Sequence, residues 1–257
     1  MQMTFYKYQA TGNDFIMVDN RQELFPKNDT KTISHLCHRR FGIGADGLIL
    51  LETDNSTDFR MVYFNADGKQ GSMCGNGGRC IVAFAEFLDL IGTECTFQAV
   101  DGVHQAQILE DQISLQMQDV PNIQSNPRYL YLDTGSPHHV QFWDDWDTLN
   151  VEKEGRRIRY GLYGEKGSNI NFVTPLDSGR FQVRTYERGV EAETFSCGTG
   201  VTAVALAMFE LGQLSHPQAE LVTMGGTLKV RFKKDQKGYS DIWLEGPAER
   251  VFKGVLK

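Results

Sequence analysis

Two cysteines share one four-residue setting, Cys74-Gly75-Asn76-Gly77 and Cys197-Gly198-Thr199-Gly200. Each turn feeds an apolar stretch predicted to be a helix, over 79–91 ahead of Gly92 and over 202–211 ahead of Gly212. A thiol just before a helix meets first-turn NH groups that lack intrahelical partners and carry partial positive charge, which favours thiolate over thiol. A free cysteine titrates at about 8.5, and this setting can lower it enough to give a base near neutral pH. The glycines after each cysteine leave backbone NH groups open to an anion, so the same turns could hold a carboxylate. If the two helix starts face one another, a substrate between them meets one sulfur on each side of a carbon beside its carboxylate. One sulfur then removes a proton while the other returns one, the pair sharing a single proton. That is the requirement for inverting a stereocentre.

The elements that must position these turns repeat. Cys74 and Cys197 are 123 residues apart, and the same spacing separates Tyr63 from Tyr186 and Thr11-Gly12 from Thr134-Gly135. Strand-like alternation over 3–8 and 129–132 precedes each Thr-Gly pair, and strand patterns over 105–118 and 227–244 follow each helix, the latter broken near Lys237-Gly238. Helices apolar on nearly every side should run through domain interiors. The expected fold class is therefore α+β, two similar domains, each a curved or closed sheet around a central helix. The expected boundary lies in the Pro- and Asn-containing stretch 119–128, giving a first half 1–120 carrying Cys74 and a second half 121–257 carrying Cys197.

Composition narrows the function class. With 257 residues, 40% hydrophobic and 23% charged, the chain has the makeup of an ordinary globular protein. Its net charge of -7 and the absence of a long Lys/Arg run argue against nucleic acid or an anionic membrane as partner. The apolar stretches 81–87 and 201–209 are far short of the roughly 20 residues a spanning helix needs. The N-terminal stretch shows no basic region followed by an apolar core, so a cytoplasmic location is expected. Five cysteines at 37, 74, 80, 95 and 197 suggest reduced thiols. Free cysteine is often simply buried, the expectation for Cys37, Cys80 and Cys95. His35, Cys37 and His38 could be imagined as metal ligands but lack a second ligand pair, so no metal is expected, and a helix from near Thr30 to before Gly42 is. A thiol-based redox or ligand-binding protein is the alternative class, disfavoured by the lack of a Cys-x-x-Cys motif.

The chain also closely resembles diaminopimelate epimerases over nearly its full length. The resemblance rests on an ordered set: Thr11-Gly12-Asn13-Asp14-Phe15, Gly42-Ile43-Gly44-Ala45-Asp46-Gly47, Phe64-Asn65-Ala66-Asp67-Gly68, Met73-Cys74-Gly75-Asn76-Gly77, Pro137-His138, Tyr186-Glu187-Arg188-Gly189, Cys197-Gly198-Thr199-Gly200 and Gly246-Pro247-Ala248. It implies paired domains of the epimerase-like fold and a cofactor-independent (pyridoxal-independent) interconversion of LL- and meso-diaminopimelate, serving lysine and cell-wall precursor synthesis. It further implies that Cys74 and Cys197 are the acid and base. Gly75, Asn76, Gly198 and Thr199 would hold the carboxylate at the reacting end, and Asn13, Asn65, Asn169, Glu187 and Arg188 would contact substrate. A planar guanidinium suits the distal carboxylate, and Glu187 with asparagine carbonyls suits the distal ammonium. His138 and Glu187 resemble residues that tune the thiols. A homodimer is left open, as is a related two-base racemase or isomerase acting on proline, hydroxyproline or another amino acid. The chain departs from the family at Gly47, where many members have Gln, at Ser136, where many have Asn, and at Val190-Glu191-Ala192, one residue longer than the common pattern.

Overall fold

The computed structural model describes residues 3–256; Met1 and Gln2, which open the N-terminal stretch discussed above, and Lys257 lie outside the described residues. The chain divides into two compact units, Met1–Leu115 with Gly246–Lys257, and Gln116–Glu245. The first holds β1 (Met3–Ala10), β2 (Asn13–Asp19), α1 (Thr30–Cys37), β3 (Gly47–Glu52), β4 (Phe59–Asn65), α2 (Gly75–Phe87), β5 (Glu94–Ala99), β6 (Gly102–Leu109) and the start of β7 (Gln112–Met117). The second holds β8 (Gln124–Ser125), β9 (Leu130–Asp133), β10 (Pro137–Phe142), α3 (Val151–Tyr163), β11 (Asn169–Asp177), β12 (Arg180–Glu187), β13 (Ala192–Thr194), α4 (Gly198–Glu210), β14 (Gln218–Thr223), β15 (Gly226–Asp235) and β16 (Gly238–Gly246). The last strand, β17 (Glu249–Leu256), returns to the first unit by pairing along β1. Backbone hydrogen bonding to β1 sets that membership, because a strand belongs to the sheet that satisfies its NH and C=O groups.

The 123-residue spacing extends through most of the element order. Shifting β2, β3, β4, β5 and β6 by that amount lays them over β10, β11, β12, β14 and β15, and α2 falls on α4 residue for residue. Pairing repeats as well. β2 runs parallel to β3 and β4 to β5, as β10 does to β11 and β12 to β14, while the remaining pairs within each unit are antiparallel. The single pattern expected over 105–118 is a hairpin, β6 and β7, turning at Glu110 with φ 47°.

The central strands of each unit, β3 and the first half of β11, are covered on both faces. In β3 every residue is buried, which is why Leu48-Ile49-Leu50-Leu51 reads as a continuous apolar run rather than an alternation. Leu48 and Leu50 pack with Ile33, Leu36 and Cys37 of α1, whereas Ile49 reaches toward Gly77 of α2. The second unit repeats this layering, with Ile170 and Phe172 packing on Val151 and Ile158 of α3, and Asn171 turned toward Gly200 of α4. The central helix α4, Gly-Thr-Gly-Val-Thr-Ala-Val-Ala-Leu-Ala-Met in sequence, is buried on all sides and touches β9, β10, β11, β12, β14 and β15. The outer helices are capped by polar side chains, Asp29 accepting from the Lys31 and Thr32 NH groups and Asn150 from Lys153. Helix α1 stops at Cys37, short of the expected end near Gly42, because His38 leaves helical geometry and its Nδ1 accepts from the NH groups of Arg40 and Phe41. Among the described residues no helix is long and apolar enough to cross a membrane.

Candidate active site

The shared Thr-Gly motif is a turn. Thr11 (φ 46°) and Gly12 (φ 84°) form the two-residue loop between β1 and β2, and two successive positive φ values are what the twist of a tight hairpin demands. The loop places Asn13 at the first residue of β2. Cys74 precedes α2 in an extended conformation (φ -120°, ψ 122°), and the helix starts at Gly75, four residues before the position expected from apolar periodicity. Polar Asn76 and the glycines hide that first turn from a hydrophobicity pattern, and they are there for packing. A Cβ at Gly78 would lie 2.7 Å from the Met73 methyl and 2.9 Å from Leu115.

Around Cys74 the structure brings together Asn13 and Asn76 and adds residues the sequence reading had not singled out. The Cys74 Sγ lies 3.6 Å from Asn13 Oδ1, which also accepts from Asn76 Nδ2 at 3.3 Å. Asn13 Nδ2 donates to Asp46 Oδ2 at 2.6 Å, and Asn76 Oδ1 accepts from Arg79 Nη2 at 2.9 Å. Arg79 is fully buried; its other hydrogen bonds go to Thr11 Oγ1 and to the carbonyls of Gly75 and Pro247. Burial lowers its pKa to about 10. Asp46 and Asp14 share the Arg39 guanidinium, and Lys7 pairs with Asp14 at 2.7 Å. Asn65 ends β4, opposite Gly47, in a turn where its NH donates to the Lys69 carbonyl. Cys80, Cys37 and Cys95 are buried, and burial pushes each thiol up, Cys37 to about 11.

In the second unit Cys197 precedes α4 in the same extended conformation (φ -130°, ψ 112°), and the helix again starts at the next residue, Gly198. Cys197 Sγ lies 3.5 Å from Thr199 Oγ1, which is 2.9 Å from His138 Nε2. The chain continues inward. Asn171 Nδ2 lies 3.1 Å from His138 Nδ1 and 3.0 Å from the His139 carbonyl, and Asn171 Oδ1 accepts from Thr185 Oγ1 at 2.9 Å. His138 is fully buried and stays neutral, burial and the nearby Arg188 charge pulling its pKa to about 3. The signal for Asn171 was present but unread: at the matching place in the first repeat stands Leu48, so a polar residue interrupts an otherwise apolar buried strand.

The remaining candidates form a second group at the ends of β11 and β12. Asn169 Oδ1 accepts from the Arg188 NH at 2.8 Å, and Asn169 Nδ2 donates to Ser136 Oγ at 2.9 Å, an oxygen also 3.4 Å from Arg188 Nη2. Ser136 thus braces two candidate contacts. Glu187 accepts from Thr194 at 2.9 Å. The longer segment after Gly189 supplies Glu191 (φ 59°), which accepts from Tyr186 Oη at 3.0 Å and Arg159 Nε at 3.1 Å. Gly47 leaves room for the Tyr63 ring, since a Cβ there would come within 2.5 Å of it. An open hollow of about 400 Å³ along α1, lined by Thr30, His35, His38 and Phe41 among others, includes none of the candidate catalytic or substrate-binding residues.

The family model for diaminopimelate epimerase matches residues 5–122 and 130–251. The chain belongs to the diaminopimelate epimerase family. It is 56% identical to a diaminopimelate epimerase of Flavobacterium psychrophilum, covering 99% of this chain and all of that one, and 41% identical to one of Chlorobaculum tepidum, covering 96% and 98%. Members of this family are isomerases. The fold extends beyond the family. A Bacillus anthracis phenazine biosynthesis protein of the PhzF family superposes with a TM-score of 0.80 over the whole chain and 99% of its own length at 15% identity. A hydroxyproline epimerase from Agrobacterium vitis superposes with a TM-score of 0.69 over 99% and 92% at 12% identity.

Proposed function

We propose that this member of the diaminopimelate epimerase family interconverts LL- and meso-diaminopimelate by proton transfer at the α-carbon, in lysine and peptidoglycan precursor synthesis. One cysteine, as thiolate, takes the α-proton, and the other, as thiol, delivers a proton to the opposite face of the resulting carbanion. The bond to the first proton breaks as the S–H bond forms, and the roles exchange for the reverse direction. By the family's convention Cys74 is the donor and Cys197 the acceptor. The observation that carries this reading is that each repeat of a diaminopimelate epimerase chain sets one cysteine at the mouth of a buried helix, with glycine in the first turn behind it.

In this reading the first-turn NH groups at Gly75, Asn76, Gly198 and Thr199 bind the reacting-end carboxylate and stabilise charge that develops there. Asn13, Asn65, Asn169, Glu187 and Arg188 hold the substrate, with Arg188 on the distal carboxylate and Glu187 on the distal ammonium. His138 and Glu187 tune the thiols. Each repeat, 1–120 and 121–257 as read from sequence, contributes one cysteine as a functional half. The acidic net charge of -7 supports a small-molecule partner in the cytoplasm rather than nucleic acid or a membrane, and a homodimer is compatible with the reading.

The test is incubation of the reduced protein with LL-diaminopimelate in heavy water, with chiral chromatography and mass spectrometry of the product. Meso isomer carrying deuterium at the inverted carbon is expected, and Cys74→Ala or Cys197→Ala should each abolish it. A fully active Cys197→Ala enzyme would sink the two-thiol mechanism; no exchange in the folded, reduced protein would sink the substrate.

A further inference from the structure

The two polar chains behind the cysteines have opposite hydrogen-bond direction. Behind Cys74 both ends are fixed by groups of a single polarity. Asp46, paired with Arg39, is an acceptor, so Asn13 must aim Nδ2 at it; Arg79 is a donor, so Asn76 must aim Oδ1 at it. Both amides are thereby oriented, and what Asn13 presents to the Cys74 sulfur at 3.6 Å is a carbonyl oxygen, which accepts from a thiol and repels a thiolate.

Behind Cys197 the anchor is the His139 backbone carbonyl, an acceptor that fixes Asn171 Nδ2, with Thr185 donating to Asn171 Oδ1 on the other side. The second hydrogen of that amide then points at His138 Nδ1, which must carry a lone pair, so the proton of the neutral ring is on Nε2. His138 Nε2–H donates to Thr199 Oγ1, and the Thr199 hydroxyl hydrogen is left for the Cys197 sulfur at 3.5 Å. Cys197 therefore meets a donor, which favours a thiolate. Within the cysteine turns the asymmetry is Thr199 against Asn76; outside them it lies in residues with no like counterpart in the other repeat, since at the 123-residue shift Asn171 matches Leu48, His138 matches Phe15 and Arg79 matches Thr202.

We propose that Asp46 and Asn171 are positioning residues which, through Asn13 and through His138 and Thr199, set the resting proton of the pair: Cys74 is held as thiol and Cys197 as thiolate before substrate arrives. The inference deepens the two-thiol reading above. It implies that the free enzyme is poised to take a proton through Cys197 first.

Charges on the surrounding elements leave this direction in place. On the strands packed against α2, Lys7 pairs with Asp14, Asp19 with Arg21, Glu52 with Lys27 and Arg60 with Asp54, while Arg250 and Lys253 lie over the rings of Phe87 and Tyr6. Tyr8 and Cys80 stay neutral through burial. Arg79 works in the other sense, as a buried cation favouring a Cys74 thiolate, with the Asn76 amide bonded between it and Asn13. Around α4, Arg180 pairs with Glu220, Arg184 with Glu193 and Arg231 with Glu245. Glu187 accepts from Thr194, Arg188 reaches the Lys166 carbonyl, and His139 stays neutral.

The experiment is brief alkylation of the ligand-free, reduced wild-type protein with iodoacetamide across about pH 6 to 10, with both cysteines quantified by peptide mass spectrometry. The expected result is that Cys197 reacts with a midpoint about one unit or more below that of Cys74. Nitrogen-15 NMR of His138 should show the Nε2–H tautomer. Asn171→Asp should turn the chain round, its carboxylate drawing the His138 proton to Nδ1 and raising the Cys197 midpoint. Thr199→Val, which deletes the hydroxyl and keeps the shape, should raise it without refolding demands. A Cys74 midpoint below that of Cys197, meaning that Arg79 outweighs the Asn13 carbonyl, or an Nδ1–H tautomer in the wild type, overturns the proposal. Alkylation reads the thiols and not turnover, so its outcome is separable from the fate of the epimerase reading.

Discussion

Equivalent glycines in the two cysteine turns should respond unequally to the same substitution. A methyl at Gly200 would sit 2.5 Å from Asn171 Oδ1, 3.2 Å from Cys197 Cβ and 3.3 Å from its sulfur. Asn171 cannot yield freely, because it is tied at once to Thr185, the His139 carbonyl and His138. Overpacking a site of this kind costs about 1–3 kcal/mol, and displacing the Asn171 amide forfeits hydrogen bonds worth about 1 kcal/mol each. Helix propensity returns at most about 1 kcal/mol on going from Gly to Ala. The net expectation for Gly200→Ala is a loss of about 1–3 kcal/mol, or roughly 3–10 °C in Tm for a chain of this length. At Gly77 the added methyl meets Ile49 Cδ1 at 3.0 Å and Met61 Cε at 3.2 Å, both ends of flexible side chains. There propensity and mild crowding nearly cancel, leaving a change within about 0.5–1 kcal/mol. Denaturant unfolding of the two variants reads the difference, and α-deuterium exchange on diaminopimelate should fall further for Gly200→Ala because the methyl also touches the sulfur. Equal losses of stability in the two variants would refute the claim that Asn171 is a fixed wall.

Two further outcomes follow from the second unit. His138 and His139 are held neutral by burial, at about 3 and about 4 against an ordinary value of 6.5, so below about pH 6.5 the unfolded chain takes up protons that the folded chain refuses. The stability this burial contributes is complete above that pH and drains away as pH falls toward 4, by up to about 1.4 kcal/mol per pH unit for each ring. His139→Gln should flatten the fall, and a wild-type unfolding midpoint that stays level from about pH 6.5 to 4.5 counts against neutral burial. Arg188→Lys should raise KM for diaminopimelate with a smaller effect on kcat, because an ammonium cannot offer the planar fork proposed for the distal carboxylate. A change confined to kcat in steady-state assays would place Arg188 elsewhere in the reaction.

Much of the candidate site was legible because its parts are local. Cys74 and Cys197 were found from a four-residue pattern and a fixed spacing, and the Thr11-Gly12 turn was found the same way, since turn and cap geometry are dictated by a few consecutive residues. The helix starts were misjudged by four residues for a physical reason: the glycines and Asn76 that open α2 carry no apolar signal, although they are buried. Of Asp46, Arg79, Asn171 and Thr185 only Asn171 left a trace, as a polar residue within an apolar strand. Asp46 lies 33 residues from the Asn13 amide it orients and Thr185 14 from Asn171, while Arg79, three residues from Asn76, shows its role only through its burial in the fold.

The sequence by itself determined the duplicated α+β architecture, the two thiols and their helix mouths, and the family, because periodicity, spacing and motif order survive without coordinates. Tertiary structure decided which chain segment completes the first unit, where β17 finds its hydrogen-bond partner in β1. It also decided the direction of each hydrogen-bond chain. An asparagine can face either way, and only what its amide meets, Asp46 for Asn13 and the His139 carbonyl for Asn171, makes one sulfur face an acceptor and the other a donor.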